Sequence, residues 1–370
     1  MVDFDPEDWP PTPKANPDLR GHEVAEREML DAFFSDRMHH AWLLTGPKGI
    51  GKATLAYRFA RFVLNQGPID AGPGLFGDAL PQDQPTSLAI AAENPIFPRV
   101  AADTHGDLLA LERRINEKTG KLKTVIDVAT VREVGGMMSQ TSSGGGWRVV
   151  VVDSADEMNV NAANALLKVL EEPPKNAVLV LVSHNPGRLL PTIRSRCRTL
   201  QLRPLSDALV TELAQKYAPG ITPEDAARLT QLSDGSIGQA LGLVDVGGLE
   251  LYGQLMDLLH TLPTLNVKSL HALADKVARI GADDAFHTIT GLLRWWLERM
   301  ILVAAGKAAP QGEDADFMAR LAGQASLESW FLVWEKINSL VARTDGLHLD
   351  KKQVVLDAFL GLEQTVRSAR

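Results

Sequence analysis

Gly46-Pro47-Lys48-Gly49-Ile50-Gly51-Lys52-Ala53-Thr54 is the stretch on which the reading of this chain turns. It fits G-x-x-x-x-G-K, in which glycines let backbone N–H groups converge on a phosphate and the lysine neutralises its outer oxygens. In a working loop of this kind Ser or Thr follows the lysine and its hydroxyl ligates Mg²⁺. Here that position is Ala53, which offers a metal nothing. Thr54 brings a hydroxyl one residue late, about 100° further around a helix. The stretch therefore predicts the scaffold of a nucleotide-hydrolysing domain without its metal ligand. Its candidate nucleotide-binding residues are Gly46, Gly49, Gly51, Lys52, Ala53 and Thr54.

The flanking sequence supplies the context the motif needs. His40-Ala41-Trp42-Leu43-Leu44 reads as a buried strand entering the loop, and Thr54 to Leu64 places Leu55, Phe59, Phe62 and Val63 at helical spacing. About a hundred residues on, Trp147 to Asp153 reads WRVVVVD, a β-branched run ending in an acid, as a fully buried parallel strand would. An Asp at the carboxyl end of such a strand can hold Mg²⁺ beside a phosphate loop, so Asp153 joins the candidate site. Asp156 and Glu157 read as capping the segment that follows.

Two further segments carry a family resemblance. Asn161 to Pro174 reads NAANALLKVLEEPP, with Ala162, Leu166, Val169 and Leu170 on one helical face and a Pro-Pro stop. Ala177 to Ser183, AVLVLVS, is another buried strand, followed by Leu190-Pro191-Thr192-Ile193-Arg194-Ser195-Arg196-Cys197. The combination of NALLKVLEEPP, a short strand and IRSRC resembles the clamp-loader branch of the AAA+ proteins, as do Leu19-Arg20-Gly21-His22-Glu23 and the start at His39. The resemblance runs from about Leu19 to Leu243; beyond that it rests on helical character and on Leu349-Asp350-Lys351-Lys352-Gln353.

The resemblance implies an α/β fold: a P-loop AAA+ parallel-sheet domain with a helical lid, then an all-helical collar. It also implies partners, namely motor subunits of gamma and tau type, a delta-type subunit, and the sliding clamp and primed DNA through the complex. The motors carry a Walker A hydroxyl, an acid after the Walker B strand and a lid arginine. This chain has Ala53, Ser154 and Gly238 at those places, the last within Gly235-Ser236-Ile237-Gly238-Gln239-Ala240-Leu241. It keeps Arg196, which in the family reaches into a neighbour's ATP site as a trans-acting finger; a planar, permanently charged fork suits developing phosphoryl charge. The departures imply a regulatory subunit with weak or absent ATPase and weak or absent Mg²⁺ use, and leave open whether ATP still binds. An active gamma/tau-type motor and a stand-alone P-loop kinase or repair ATPase are the competing readings; the SRC segment speaks against the second, because an outward finger is useless in a monomer.

Many relatives carry a four-cysteine zinc module before the Walker B strand. Cys197 is the single cysteine here, which rules out a thiolate zinc site and an intrachain disulfide and suits the cytosol. Asn65 to Pro98, rich in Pro, Gly and Ala, reads instead as a partly flexible loop, and His105 near Asp107 as a surface histidine. No apolar run approaches the ~18 residues a membrane span needs. Residues 1–18, acidic and proline-rich, read as a disordered tail and not a signal peptide. A net charge of −8 argues against broad DNA binding by this chain alone.

The predicted domains are 19–204 for the parallel α/β layer, 205–245 for the lid and 246–370 for the collar. Thr222-Pro223-Glu224 marks a helix start. Leu251, Leu255, Leu258 and Leu259, then Ile289, Leu292, Leu293 and Trp296, then Trp330, Phe331, Trp334 and Ile337 mark later helices. With Trp295, the aromatics of this region are core candidates, and also residues enriched at protein contacts.

Overall fold

The apolar runs become neighbouring strands of one sheet. In the computed structural model, which describes residues 11–35, 38–66, 85–116, 120, 122–139, 142, 146–279, 281–309, 314–347 and 349–368, these are β1 (Ala41–Thr45), β2 (Leu108–Leu111), β3 (Arg148–Val152), β4 (Ala177–Ser183) and β5 (Arg198–Gln201). All pairings are parallel, in the order β2-β3-β4-β1-β5. Parallel strands need crossovers, and here the connections carry helices: α1 (Glu23–Phe34) precedes β1, α2 (Lys52–Asn65) and α3 (Ile96–Ala101) follow it, α4 (Val128–Ser139) leads into β3, α5 (Val160–Glu171) into β4, α6 (Pro191–Arg194) into β5, and α7 (Asp207–Tyr217) leaves the sheet.

Because both faces are covered, the three central strands β1, β3 and β4 are buried on both sides. Trp42 and Leu44 of β1, Val149 and Val151 of β3, and Val178, Val180 and Val182 of β4 pack with α1 and α2. The alternating residues Ala41, Leu43, Val150, Val152, Leu179 and Leu181 pack with α4, α5 and Ile193. This period-two division explains why WRVVVVD and AVLVLVS are continuous apolar runs. The C-terminal strand ends carry the phosphate loop after β1 and Asp153 after β3, the edge where open α/β sheets place ligands.

Two segments expected to be loose are tied down by arginines of α2. Arg61, 1% exposed, donates to the Lys14 and Asn16 carbonyls at 2.7 and 2.8 Å and lies over the Phe97 ring. Arg58 donates to the Pro17 carbonyl at 2.8 Å and pairs with Glu26 at 3.0 Å. Residues 11–18 of the tail expected to be disordered are thus a strap across α2. Of the expected 65–98 loop, 67–84 lie outside the described residues. Asn65 ends α2, Leu88 is fully buried with its N–H on Glu26, and α3 begins at Ile96, so the remainder is anchored and not loose.

The chain divides into two compact units, Met1–Gly220 with Ser233–Gln239, and Ile221–Leu232 with Ala240–Arg370. Helices α8 (Pro223–Ser233) and α9 (Ile237–Asp245) cross this division. The second unit continues through α10 (Gly248–His260), α11 (Val267–Val277), α12 (Asp283–Ala304), α13 (Ala315–Ala322), α14 (Leu327–Leu347) and α15 (Lys351–Ser368). Its core takes Leu255, Phe286, Leu293, Trp296, Trp330, Ile337 and Phe359, so Trp296 and Trp330 of the aromatics named from the sequence are interior, while Phe331 stays half exposed. Among the described residues no helix is long and apolar enough to cross a membrane.

Candidate functional site

The phosphate loop has the backbone its glycines permit. Gly46, Gly49 and Gly51 take φ values of +142°, +78° and +105°, a region that side chains disfavour. At Gly46 a Cβ would also lie 2.5 Å from the Leu202 carbonyl oxygen. The loop delivers the chain into α2, whose first residue is Lys52. Lys52, however, does not reach outward. Its ammonium donates to the Gly46 carbonyl at 2.7 Å and to that of Pro47, so it closes on its own loop. Among the described residues no acid forms a salt bridge with it; burial pulls its pKa down to about 8, with Asp156 and Asp153 opposing the shift.

The segment 236–239 lies on the same loop. Ser236 Oγ donates to the Lys48 carbonyl at 2.8 Å, and the Gly238 N–H donates to the Gly49 carbonyl at 2.9 Å. The two glycine backbones approach so closely that a Cβ on Gly238 would sit 2.8 Å from Gly49 Cα. Gly238 is therefore more than a position lacking an arginine. No side chain fits there while the loop keeps this shape. From the other side His22, 6% exposed, makes a 2.6 Å hydrogen bond through Nε2 to the Ile50 carbonyl. Burial lowers the pKa of His22, so the neutral ring is the donor.

At the end of β3, Asp153 is buried enough that its pKa is raised, with Glu112 and Glu157 adding to the effect. Ser154 takes a left-handed conformation at φ 60°, and its hydroxyl lies 3.2 Å from His184 Nε2. Burial and the Lys52 charge drop the His184 pKa to about 4, so the pair is uncharged at neutral pH. Asp156 accepts from the backbone N–H groups of His184 and Asn185 at 3.0 and 3.3 Å, and Glu157 pairs with Arg113 at 2.8 Å. These acids join strand ends and a neighbouring arginine; α5 is capped instead by Asn159, which accepts from Ala162 N–H at 2.9 Å.

The loop lacks the side-chain oxygen that a magnesium ion takes from it: Ala53 brings none and Thr54 lies beyond it on α2, which leaves Asp153 as the one candidate ligand named from the sequence. Gly46, Gly49, Gly51 and Lys52 still form one loop, so a phosphate cradle fits in outline. Lys52 has three N–H donors, of which the Gly46 and Pro47 carbonyls take two, so the third is available to a phosphate.

Arg196 stands on a turn after α6, away from the loop residues. Each residue of Ser195-Arg196-Cys197 has its own anchor. Ser195 Oγ donates to the Thr192 carbonyl at 3.1 Å, and Arg196 Nη1 donates to the same oxygen at 2.9 Å. Cys197 packs against the core on the α5 side of the sheet, where burial raises its thiol to about 12 and leaves it unreactive. Arg196 Nη2 also pairs with Glu171 of α5 at 2.8 Å, and the arginine remains 35% exposed. Sequence reasoning named Arg196, the loop and Asp153. It did not single out His22, Ser236, His184 or Glu171, although His22, Ser236 and Glu171 lie inside motifs it quoted.

Residues 82–206 match the family model described as DNA polymerase III, delta subunit. The chain is 41% identical over 198 residues to DNA polymerase III subunit delta-prime of Pseudomonas aeruginosa, covering 53% of each chain. To the delta-prime subunit of Escherichia coli it is 32% identical over 217 residues, 58% of each. The tau subunit of Bacillus subtilis is more distant, 22% identical over 289 residues, covering 76% of this chain and 46% of that one. The chain thus spans little more than half the length of the delta-prime relatives it matches.

Proposed function

We propose that this chain, whose sequence matches the delta-prime subunits of DNA polymerase III, is a clamp-loader component of DNA replication that serves its neighbours' chemistry and not its own. In this reading it assembles with gamma/tau-type and delta-type subunits in the cytoplasm and helps to place the sliding clamp on primed DNA. The observation that carries it is Gly238 backed directly onto Gly49, where no side chain fits, together with Ala53 and Ser154 at the places of the metal hydroxyl and the acid. A loop so built supports a subunit that does not fire. Nucleotide, if it enters, binds without turnover.

Arg196 is the residue offered to the reaction. It stands on the surface, permanently charged, with one of its five N–H donors on the Thr192 carbonyl and Glu171 paired to Nη2 by charge. Pointed at an adjacent motor's ATP, it would stabilise charge developing on the transferred phosphoryl group without accepting or donating a proton. The second unit, helical and carrying Trp295, Trp330, Phe331 and Trp334, is proposed as the collar that holds the ring.

The competing motor reading makes the opposite prediction. In the reconstituted complex with its cognate subunits, Arg196→Ala should lower clamp-stimulated ATPase, with a loss on the order of 10³–10⁵ at the one site it completes. Lys52→Ala should leave the rate within about twofold, since a loop with Ala53 and Ser154 at the places of the metal hydroxyl and the acid does not fire in this reading. If Lys52→Ala is the more damaging substitution, the chain is an active ATPase and the regulatory reading fails.

A further inference from the structure

We infer that Glu171 is a positioning residue for Arg196; the inference rests on the trans-finger reading above. The two residues come from separate elements, Glu171 closing α5 and Arg196 following α6, and they meet at 2.8 Å through Glu171 Oε1 and Arg196 Nη2. The other arm of the fork is fixed at the same time, because Arg196 Nη1 donates to the Thr192 carbonyl at 2.9 Å. An unrestrained arginine samples many rotamers, and ordering it as a neighbour docks opposes the reaction. Here the carbonyl and the carboxylate hold both ends of the guanidinium before any partner arrives.

The arrangement leaves the chemistry free. A guanidinium has five N–H donors, and each Nη carries two. Thr192 takes one N–H from Nη1 and Glu171 pairs with Nη2 by charge, so the second hydrogen on Nη1, the outward hydrogen on Nη2 and the Nε–H stay available to a phosphate. Phosphate can therefore bind without displacing Glu171. The pair is half exposed, with side-chain exposures of 35% for Arg196 and 50% for Glu171, so it adds little to the stability of the fold. Its role is geometry. What the position requires is an acceptor oxygen at the end of α5, which an amide supplies as well as a carboxylate. The segment LEEPP sets this up: Leu170 is buried, Glu171 turns to the arginine, and Pro173-Pro174 follow the helix end.

The test measures kcat and KM for ATP of the reconstituted complex, with clamp and primed DNA present, for Glu171→Ala, Glu171→Gln, Arg196→Ala and the double Ala variant. Glu171→Ala is expected to lower kcat on the order of three- to tenfold with KM for ATP unchanged, the effect of a finger left to order itself. Glu171→Gln should restore the rate to within twofold, and Glu171→Ala should add nothing in the Arg196→Ala background. Wild-type or faster turnover in Glu171→Ala would make the carboxylate a restraint and overturn the inference. So would a further loss in the double variant, or failure of Gln to restore the rate. If Arg196→Ala alone leaves kcat unchanged, the finger reading has failed first, and this inference falls with it.

Discussion

Restoring the lid arginine will not restore a motor, because Gly238 is held at backbone distance from the phosphate loop. The mildest probe is Gly238→Ala. Its Cβ would meet Gly49 Cα at 2.8 Å and the Gly49 carbonyl oxygen at 3.2 Å, where carbon atoms pack comfortably at about 3.5–4.0 Å. Both obstacles are backbone, so neither can swing aside. The segment must retreat by roughly 0.7 Å or more to regain ordinary contact. That displacement strains the Gly238 N–H bond to Gly49, now 2.9 Å, and the Ser236 bond to Lys48, now 2.8 Å. Overpacking of this kind costs about 1–3 kcal/mol, and a weakened hydrogen bond about 1 kcal/mol more. Alanine gains up to about 1 kcal/mol over glycine in a helix, although Gly238 is only the second residue of α9, so the net loss is about 2 kcal/mol.

For a unit of this size that loss lowers the midpoint of the corresponding thermal transition by about 4–8 °C. The assay is differential scanning calorimetry resolved by unit, paired with hydrogen exchange at the Gly49–Lys52 amides, which should speed up. Gly238→Arg should destabilise more, and neither it nor its combination with Ala53→Ser should hydrolyse ATP. A Gly238→Ala midpoint within 1 °C of the parent, or ATP turnover by Gly238→Arg, would refute the reasoning, since both require the loop and the segment to separate freely.

Arg61→Ala removes two charge-assisted bonds and a ring contact, and leaves the Lys14 and Asn16 carbonyls unpaired; a loss of about 3 kcal/mol is expected, read as earlier thermal unfolding and as proteolysis within residues 11–18. His184 has a folded pKa of about 4 against 6.5 unfolded, so the unfolded chain takes up its proton first as pH falls. Stability from this group is intact above pH 6.5 and drains away down to pH 4, by about 2 kcal/mol after allowing for partial exposure, and His184→Asn should flatten that limb of a denaturant titration. Ending the chain at residue 247 should leave the sheet unit folded yet unable to join its partner subunits; co-elution of the shortened chain at full stoichiometry would contradict the collar reading.

Legibility followed burial pattern. β1, β3 and β4 could be read because strands covered on both faces leave uninterrupted apolar runs, and α5 because its cap and proline stop bracket an amphipathic stretch. β2, Leu-Leu-Ala-Leu, and β5, Arg-Thr-Leu-Gln, escaped: each is an edge strand of four residues, too short for a period to declare itself. The tail was misread for a related reason. Arg58 and Arg61 look like the solvent face of α2, since arginine is seldom fully buried, and nothing local says that carbonyls of Lys14, Asn16 and Pro17 complete them.

At the site the same asymmetry holds between what is missing and what replaces it. Ala53, Ser154 and Gly238 can be recognised from sequence as absences, because each lacks a group that chemistry requires. Their replacements are contacts between residues far apart in the chain, His22 with Ile50, Lys48 with Ser236, Ser154 with His184, and no spacing rule encodes them. The absences by themselves fit either a loop decaying toward disorder or one held for another purpose. The contacts favour the second. A Gly238 that admits no side chain, a Lys52 bonded to its own loop and a neutral His184 on Ser154 tie the loop into a firm platform. Rigidity would serve the proposed finger, because Arg196 hangs on the same sheet through β5 and, by way of Glu171, on α5. In the proposed reading, loss of turnover and precision of the finger would be consequences of one packing solution.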